Sequence, residues 1–312
     1  MPIWLQLVIP VAAGLVSWLM GNALVPYLQK LRFFPPELPK DTESREAAGE
    51  ERRPIMGGLL LLAGLVFAGV LGVTLLMQFG GMDRTSPAFS EQLDLLCGTG
   101  ITAGLWCVIG IVSDVLMIRG RYNPNLWNYI LLPLVLMAVA CPMEYLFHGN
   151  PHQWWIWLIP PVAGTFCFVW ECDLEHDTDG ALITVNAVEL LALTMLLLRQ
   201  SQKLPAVFTF AAAGACMGTM VWCLHPARCR LGRTGEYLIA GIVPLICLWY
   251  GMYRELALMM AVFVLQQLYR LWKHENKYLT EGMAEAGIQP LARIAILAGI
   301  AVFCGLMALL LK

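Results

Sequence analysis

Long apolar stretches recur along the whole of this chain, and they limit its fold more than any other feature. Runs of about 17 to 25 apolar residues follow one another, and each can cross a hydrocarbon core about 30 Å thick. Hydrophobic residues make up 59% of the 312 residues and charged residues 13%. An ordinary soluble domain has about 25% charged residues, so this composition excludes a soluble globular protein. The sequence therefore predicts an all-α, polytopic membrane protein.

We predict ten transmembrane helices, with residues 1–312 forming a single transmembrane domain. The first run lacks a charged leader and a small-residue cleavage site, so we expect it to be retained as a helix and not removed as a signal peptide. The predicted spans are 3–29, 56–79, 93–115, 126–140, 154–170, 181–198, 206–224, 237–253, 256–272 and 291–311.

Positive charge is distributed unequally between the two sides of this predicted topology. Fifteen of the 20 Lys and Arg residues lie in or beside one set of loops, near 30–55, 116–125, 171–180, 225–236 and 273–290. Short loops rich in Lys and Arg face the cytoplasm. We therefore expect these five loops to be cytoplasmic and both termini to be extracytoplasmic, so any active site is built from these loops and the adjoining helix ends.

The second predicted span is preceded by two arginines. Arg52 and Arg53 could meet a phosphate group, or they could be the positive flank of a membrane helix. Pro54 stands where a helix can start, and Gly57 and Gly58 let another backbone approach closely.

Residues 171–180 contain five acids and one histidine. Carboxylates at this density suit a hard cation such as Mg²⁺, which takes oxygen ligands. The alternative is a solvated acidic loop. Asp114, at the cytoplasmic end of the third predicted span, is unremarkable alone and gains meaning only beside this segment.

The segment 225–236 is basic and rich in glycine. The backbone amides around Gly232 and Gly235 could form an anion-binding nest. The arginines of this segment could equally be positive flanks of the neighbouring spans.

Glu189 lies inside the sixth predicted span, about 15 Å deeper than Asp179 at 1.5 Å per helical residue. An acid within a membrane span is costly and often functional. It motivates a transporter or lipid flippase as a third class of function, although no inverted repeat is visible in the sequence.

Taken in order, these segments resemble the phospho-N-acetylmuramoyl-pentapeptide transferases, which belong to a superfamily of polyprenyl-phosphate N-acetylhexosamine-1-phosphate transferases. Residues 54–58, Pro-Ile-Met-Gly-Gly, resemble the family's PTMGG, and residues 214–227 resemble its run GAxLGFLWxNAHPA. The resemblance covers the whole chain. It implies a ten-helix protein of the bacterial cytoplasmic (inner) membrane that acts in peptidoglycan or other envelope polysaccharide synthesis.

The resemblance also implies chemistry and partners. Family members transfer a phospho-N-acetyl sugar from a UDP-sugar to polyprenyl phosphate with Mg²⁺ as cofactor. It implies a homodimer or a partner enzyme, and no nucleic acid. By position, Asp114, Asp179 and His176 are the expected catalytic residues, and Asp114 and Asp179 are the metal ligands if Mg²⁺ is bound. The expected substrate-binding residues are Arg52, Arg53, Asp173, Asp177, His225, Arg228 and Arg233.

The departures from the family pattern fall on the chemical positions. The first-loop lysine is Glu50, the motif DDxxK reads Ser113-Asp114-Val-Leu-Met117, an aspartate of the third motif is His176, and the metal-binding aspartate of MGDxGS is Arg233. The family's HHH loop is absent from residues 281–290. Two hypotheses follow. One is a non-catalytic relative with a degenerate magnesium site, in which Arg233 pairs with Asp114 and Asp179. The other is an active transferase with a rewired site.

Overall fold

The computed structural model describes residues 1–34, 53–80, 86–121, 167, 169–172, 174, 178–273 and 278–311. Throughout these residues the regular secondary structure is helical. The helices are α1 (Ile3–Lys30), α2 (Gly58–Phe79), α3 (Pro87–Ile118), α4 (Ala181–Arg199), α5 (Lys203–Cys223), α6 (Gly232–Ile239), α7 (Ile242–Trp249), α8 (Tyr253–Met259), α9 (Ala261–Lys273), α10 (Leu279–Glu285) and α11 (Pro290–Leu310).

Six of these helices are long and apolar enough to cross a membrane, namely α1 to α5 and α11. They correspond to the first, second, third, sixth, seventh and tenth predicted spans, so the helical, multi-pass character is confirmed. The predicted span 126–140 lies outside the described residues, and so does 154–170 apart from residues 167, 169 and 170. Ten spans and extracytoplasmic termini stay predictions.

The predicted spans 237–253 and 256–272 are wrong as continuous helices. Gly241 has φ +87° and separates α6 from α7, and Met260 lies between α8 and α9. A left-handed residue ends an α-helix, and glycine adopts this conformation without a steric penalty. The helix α6 also begins inside the segment that the sequence predicted to be a loop. Hydropathy measures composition, so it missed both breaks.

The helices α1 and α5 cross with their backbones in close contact. A Cβ atom at Gly218 would lie 2.1 Å from the carbonyl oxygen of Gly14, and one at Gly214 would lie 2.2 Å from that of Pro10. Small residues four apart allow this approach, which is how membrane helices gain van der Waals packing without a hydrophobic driving force. This contact anchors α1 to the centre of the bundle.

Two basic segments lie side by side at the start of α2 and the start of α6. The backbone N–H of Arg230 donates to the carbonyl of Pro54 at 2.8 Å, and the N–H of Gly57 donates back to Arg230 at 3.0 Å. A third bond runs from the N–H of Gly58 to Leu231 at 2.9 Å. These hydrogen bonds fix the position of Arg53 relative to the 228–233 segment and so build the candidate site.

Candidate functional site

Asp114 is fully buried near the end of α3, against the start of α6. Its Oδ1 accepts a hydrogen bond from the backbone N–H of Arg233 at 2.9 Å. Its Oδ2 accepts from the backbone N–H of Thr234 at 3.0 Å and from the Thr234 hydroxyl at 2.6 Å. The positive end of a helix stabilises a carboxylate. The anion-binding amides expected near Gly232 therefore bind the chain's own carboxylate.

Arg233 contacts Asp114 through its backbone and not through its guanidinium. The Nη1 of Arg233 lies 2.7 Å from Oε2 of Glu236, three residues further along α6. Side chains at this spacing share one face of a helix, so the two charges meet locally. The expectation that Arg233 pairs with Asp114 and Asp179 is wrong for both carboxylates.

Asp179 stands directly before α4 and lies between two guanidinium groups. Nη1 of Arg53 forms an ion pair with its Oδ2, and Nε of Arg230 lies 3.4 Å from its Oδ1. The following residue, Gly180, has φ +84° and forms the N-cap of α4. The exposed fraction of the side chain is 11% for Arg53, 36% for Arg230 and 18% for Asp179. This cluster therefore reaches the surface, whereas Asp114 does not.

One short segment joins the two carboxylates that the sequence selected. Arg230 reaches Asp179 with its side chain, and Arg233 reaches Asp114 with its amide. Asp114 and Asp179 are thus both bound by groups of the protein, and one segment contacts both. Their catalytic and metal-binding roles stay predictions. Arg52, Asp173, His176 and Asp177 lie outside the described residues.

His225 and Arg228 follow the end of α5. Arg228 is exposed, and its guanidinium carbon lies 5.8 Å from the centre of the Trp222 ring, a cation–π distance. His225 is half-buried and precedes a cis proline. In the described part of the chain, neither side chain hydrogen-bonds or ion-pairs with Asp114 or Asp179.

Sequence reasoning did not select Arg230 or Thr234 as site residues. Arg230 belongs to a run of three arginines, and the residue types alone do not show which of them turns inward. Thr234 follows a glycine-rich turn, and a hydroxyl residue within the first turn of a helix is the available signal. Its importance depends on Asp114, which is 120 residues away in the sequence.

The described carboxylates do not fit a magnesium ion. Mg²⁺ needs octahedrally arranged oxygen ligands and usually keeps several waters. Asp114 has both oxygens engaged by three donors and is fully buried. Asp179 already carries two guanidinium partners. Nowhere in the described ranges do three His, Cys, Asp or Glu side chains come together in a way that could hold a metal ion.

Comparison with known proteins gives one consistent result. No protein-family model matches the chain. The phospho-N-acetylmuramoyl-pentapeptide-transferase of Bacillus licheniformis is 25% identical over 274 residues, which cover 81% of this chain and 78% of the relative. The protein of the same name from Bacillus subtilis strain 168 is 23% identical over 273 residues, with the same coverage.

A third relative comes from Synechococcus sp. strain RCC307. It bears the same name and is 28% identical over 286 residues, which cover 84% of this chain and 72% of the relative. With six helices suited to crossing a membrane, these bacterial relatives indicate a multi-pass protein of the bacterial inner membrane. At 23–28% identity over 81–84% of its length, the chain is similar to the phospho-N-acetylmuramoyl-pentapeptide transferases and has diverged from them.

Proposed function

We propose that this protein is a non-catalytic relative of the membrane transferases that move phospho-N-acetyl sugars from UDP-sugars to polyprenyl phosphate. It keeps the helical scaffold and binds a polyprenyl phosphate headgroup or a partner enzyme without turning over a UDP-sugar. The names of the relatives and the sequence resemblance support a link to this transferase chemistry. The residues of the candidate site support the loss of turnover.

The observation that carries this proposal is that groups of the chain itself bind both surviving carboxylates. Freeing Asp114 for a metal ion breaks up to three hydrogen bonds, and each bond to a charged group contributes about 1.5–3 kcal/mol. At Asp179, Arg53 and Arg230 occupy the place of a cation. A divalent ion 4 Å from one guanidinium is repelled by about 8 kcal/mol at an effective dielectric constant near 20.

The same cluster supports binding of an anionic headgroup. The Arg230 side chain is 36% exposed, so its guanidinium can reach a ligand at the surface beside the Arg53–Asp179 ion pair. Guanidinium groups bind phosphate through paired, charge-assisted hydrogen bonds. The exposed Arg228 lies two residues before Arg230 and adds a third positive charge. We therefore expect the ligand to be a phosphate group on a membrane lipid.

The second candidate is an active transferase with a rewired site, and the partial exposure of Arg53 and Arg230 favours it. A preorganised guanidinium stabilises the charge that develops on a phosphoryl group in the transition state. Under this alternative the two arginines hold the phosphates of the UDP-sugar, and turnover depends on them.

A turnover assay separates the two candidates. The purified full chain is mixed in detergent with a UDP-N-acetyl sugar, polyprenyl phosphate and Mg²⁺, and release of UMP is measured beside the Bacillus subtilis relative as positive control. We expect no release above a protein-free control. Release that requires Mg²⁺ or Arg53 refutes the non-catalytic proposal and supports the rewired enzyme.

A binding assay tests the headgroup site independently of turnover. Binding of labelled polyprenyl phosphate to Arg53→Gln and Arg230→Gln is expected to be at least about tenfold weaker than to the unmodified chain, since each substitution removes a charge-assisted contact of about 1.5–3 kcal/mol. Arg199→Gln is the matched control, because Arg199 lies at the opposite end of α4 and donates to the carbonyl of Leu309. Equal binding by all three variants contradicts a phosphate site at Arg53 and Arg230.

A further inference from the structure

Three polar side chains form a buried cluster away from the Asp114 and Asp179 site. Glu171, Asn186 and Glu189 are 0%, 0% and 1% exposed. Asn186 and Glu189 are three residues apart on α4, so they share a face of that helix. Glu171 accepts a hydrogen bond from the N–H of Gly241, between α6 and α7, and both of these helices pack against α4. The three residues are therefore one cluster.

The unsatisfied atoms of this cluster are all hydrogen-bond acceptors. Oε1 of Glu171, Oδ1 of Asn186 and both carboxylate oxygens of Glu189 are buried without a hydrogen-bond partner in the described structure. Each buried acceptor left unpaired costs about 1–3 kcal/mol. Four unpaired oxygens that face no donor call for a ligand that brings positive charge.

The charges of the two carboxylates lead to the same conclusion. Oε2 of Glu171 accepts from the backbone N–H of Gly241 at 3.2 Å, at the positive end of α7. This bond offsets part of the cost of burying the Glu171 carboxyl group. Glu189 has no such donor, and no Lys, Arg or His of the described segments forms an ion pair with it. A buried negative charge on Glu189 without a donor or counter-ion is too costly, so this carboxyl group is either neutralised or paired with a cation.

We propose that Glu171, Asn186 and Glu189 form a site for one monovalent cation inside the helical bundle, filled either by a proton on Glu189 or by a sodium ion between the oxygens. A divalent ion is disfavoured, because within the described ranges no third His, Cys, Asp or Glu joins the two carboxylates as a ligand. Cys247 on α7 and Cys304 on α11 are buried, and both helices pack against α4. Neutral thiols add no compensating charge.

The site predicts how the stability of the protein depends on pH and sodium. An unfolded glutamate has a pKa near 4.3, so above about pH 4.3 the folded state holds one proton more than the unfolded state. Stability is then lost as pH rises, with the folding equilibrium constant falling up to tenfold per pH unit until the folded group ionises. A sodium ion in the same site offsets that loss by mass action.

The test measures unfolding midpoints of the full chain in detergent from about pH 5 to about pH 9, in choline chloride and in sodium chloride at equal concentration. In choline chloride we expect the stability of the unmodified chain to fall as pH rises. If the site holds a sodium ion, sodium chloride restores the stability at high pH. If the site holds only a proton, the stability is the same in both salts. Glu189→Gln weakens the dependence on pH and removes the dependence on sodium, and the exposed Glu91→Gln preserves both.

The proposal is overturned if Glu189→Gln shows the same dependence on pH and sodium as the unmodified chain. If that variant does not fold, two measurements on the unmodified chain decide. One is retention of radioactive sodium in equilibrium dialysis. The other is the infrared band of a protonated carboxylic acid at about pH 8, where exposed carboxyl groups are ionised. Absence of both signals overturns the site, whatever the outcome of the turnover assay.

Discussion

The hydroxyl of Thr234 offers the sharpest test of how Asp114 is held. Its Oγ1 donates to Oδ2 of Asp114 at 2.6 Å, and both side chains are fully buried. Thr234→Val keeps the shape of the side chain and removes this one bond. A hydrogen bond to a charged group contributes about 1.5–3 kcal/mol, so the variant should lose about that much free energy of unfolding.

A second threonine provides a matched control for this substitution. Thr219 is equally buried, and its hydroxyl donates to the neutral carbonyl of Ala215 at 2.8 Å within α5. Because a neutral bond contributes about 0.5–1.5 kcal/mol, Thr219→Val should cost less than Thr234→Val. Thr234→Ser keeps the hydroxyl and should recover most of the loss.

The assay is equilibrium unfolding in mixed detergent micelles, followed by circular dichroism. The expected difference between the two valine variants is about 1 kcal/mol or more, which is roughly a fivefold change in the unfolding equilibrium constant. Equal losses in Thr234→Val and Thr219→Val would refute the view that Asp114 is a charged acceptor held by the start of α6.

Two other predictions concern packing and reactivity. Gly218→Ala places a methyl group 2.1 Å from the carbonyl oxygen of Gly14, so it should separate α1 from α5 and lower the free energy of unfolding by about 1–3 kcal/mol, measured in the same micelles. Gly69→Ala, with nothing within 4 Å of its added Cβ, is the control. Burial, and next the charge of Asp114, raise the pKa of Cys229 to about 12. Since the thiolate is the reactive form, labelling of Cys229 by a maleimide should stay low from about pH 7 to about pH 9, while the SDS-unfolded chain is labelled faster as pH rises. Rapid labelling of Cys229 in the folded protein at about pH 8 would contradict the burial described here.

Some parts of the fold follow from local sequence. Six predicted spans are helices that can cross a membrane, because the free energy of transferring a segment into lipid depends on its own composition. The run between Gly214 and Ala227 carries the small residues on which the α1–α5 contact depends. The predicted spans 237–253 and 256–272 are each interrupted, because a single left-handed glycine or a turn residue breaks a helix without changing its hydropathy.

The candidate site was likewise predictable from the sequence only in part. Sequence selected Asp114 and Asp179 as a pair, and the structure brings one segment, residues 229–233, into contact with both. The sequence also suggested that the arginine at position 233 replaces a cation. In the structure, Arg53 and Arg230 form ion pairs with Asp179, and Arg233 pairs with Glu236. Which arginine reaches a carboxylate depends on the backbone hydrogen bonds between two distant loops.

By itself the sequence determined that this protein lies in a membrane, and that the chemical positions of the family it resembles are altered. Only the tertiary structure decided what its carboxylates touch. Asp179 meets Arg53 across 126 residues of sequence, and Asp114 meets Thr234 across 120. The partition of a segment into lipid is a local property of that segment, whereas the partner of a buried charge is set by whichever distant segment the fold brings within hydrogen-bonding distance.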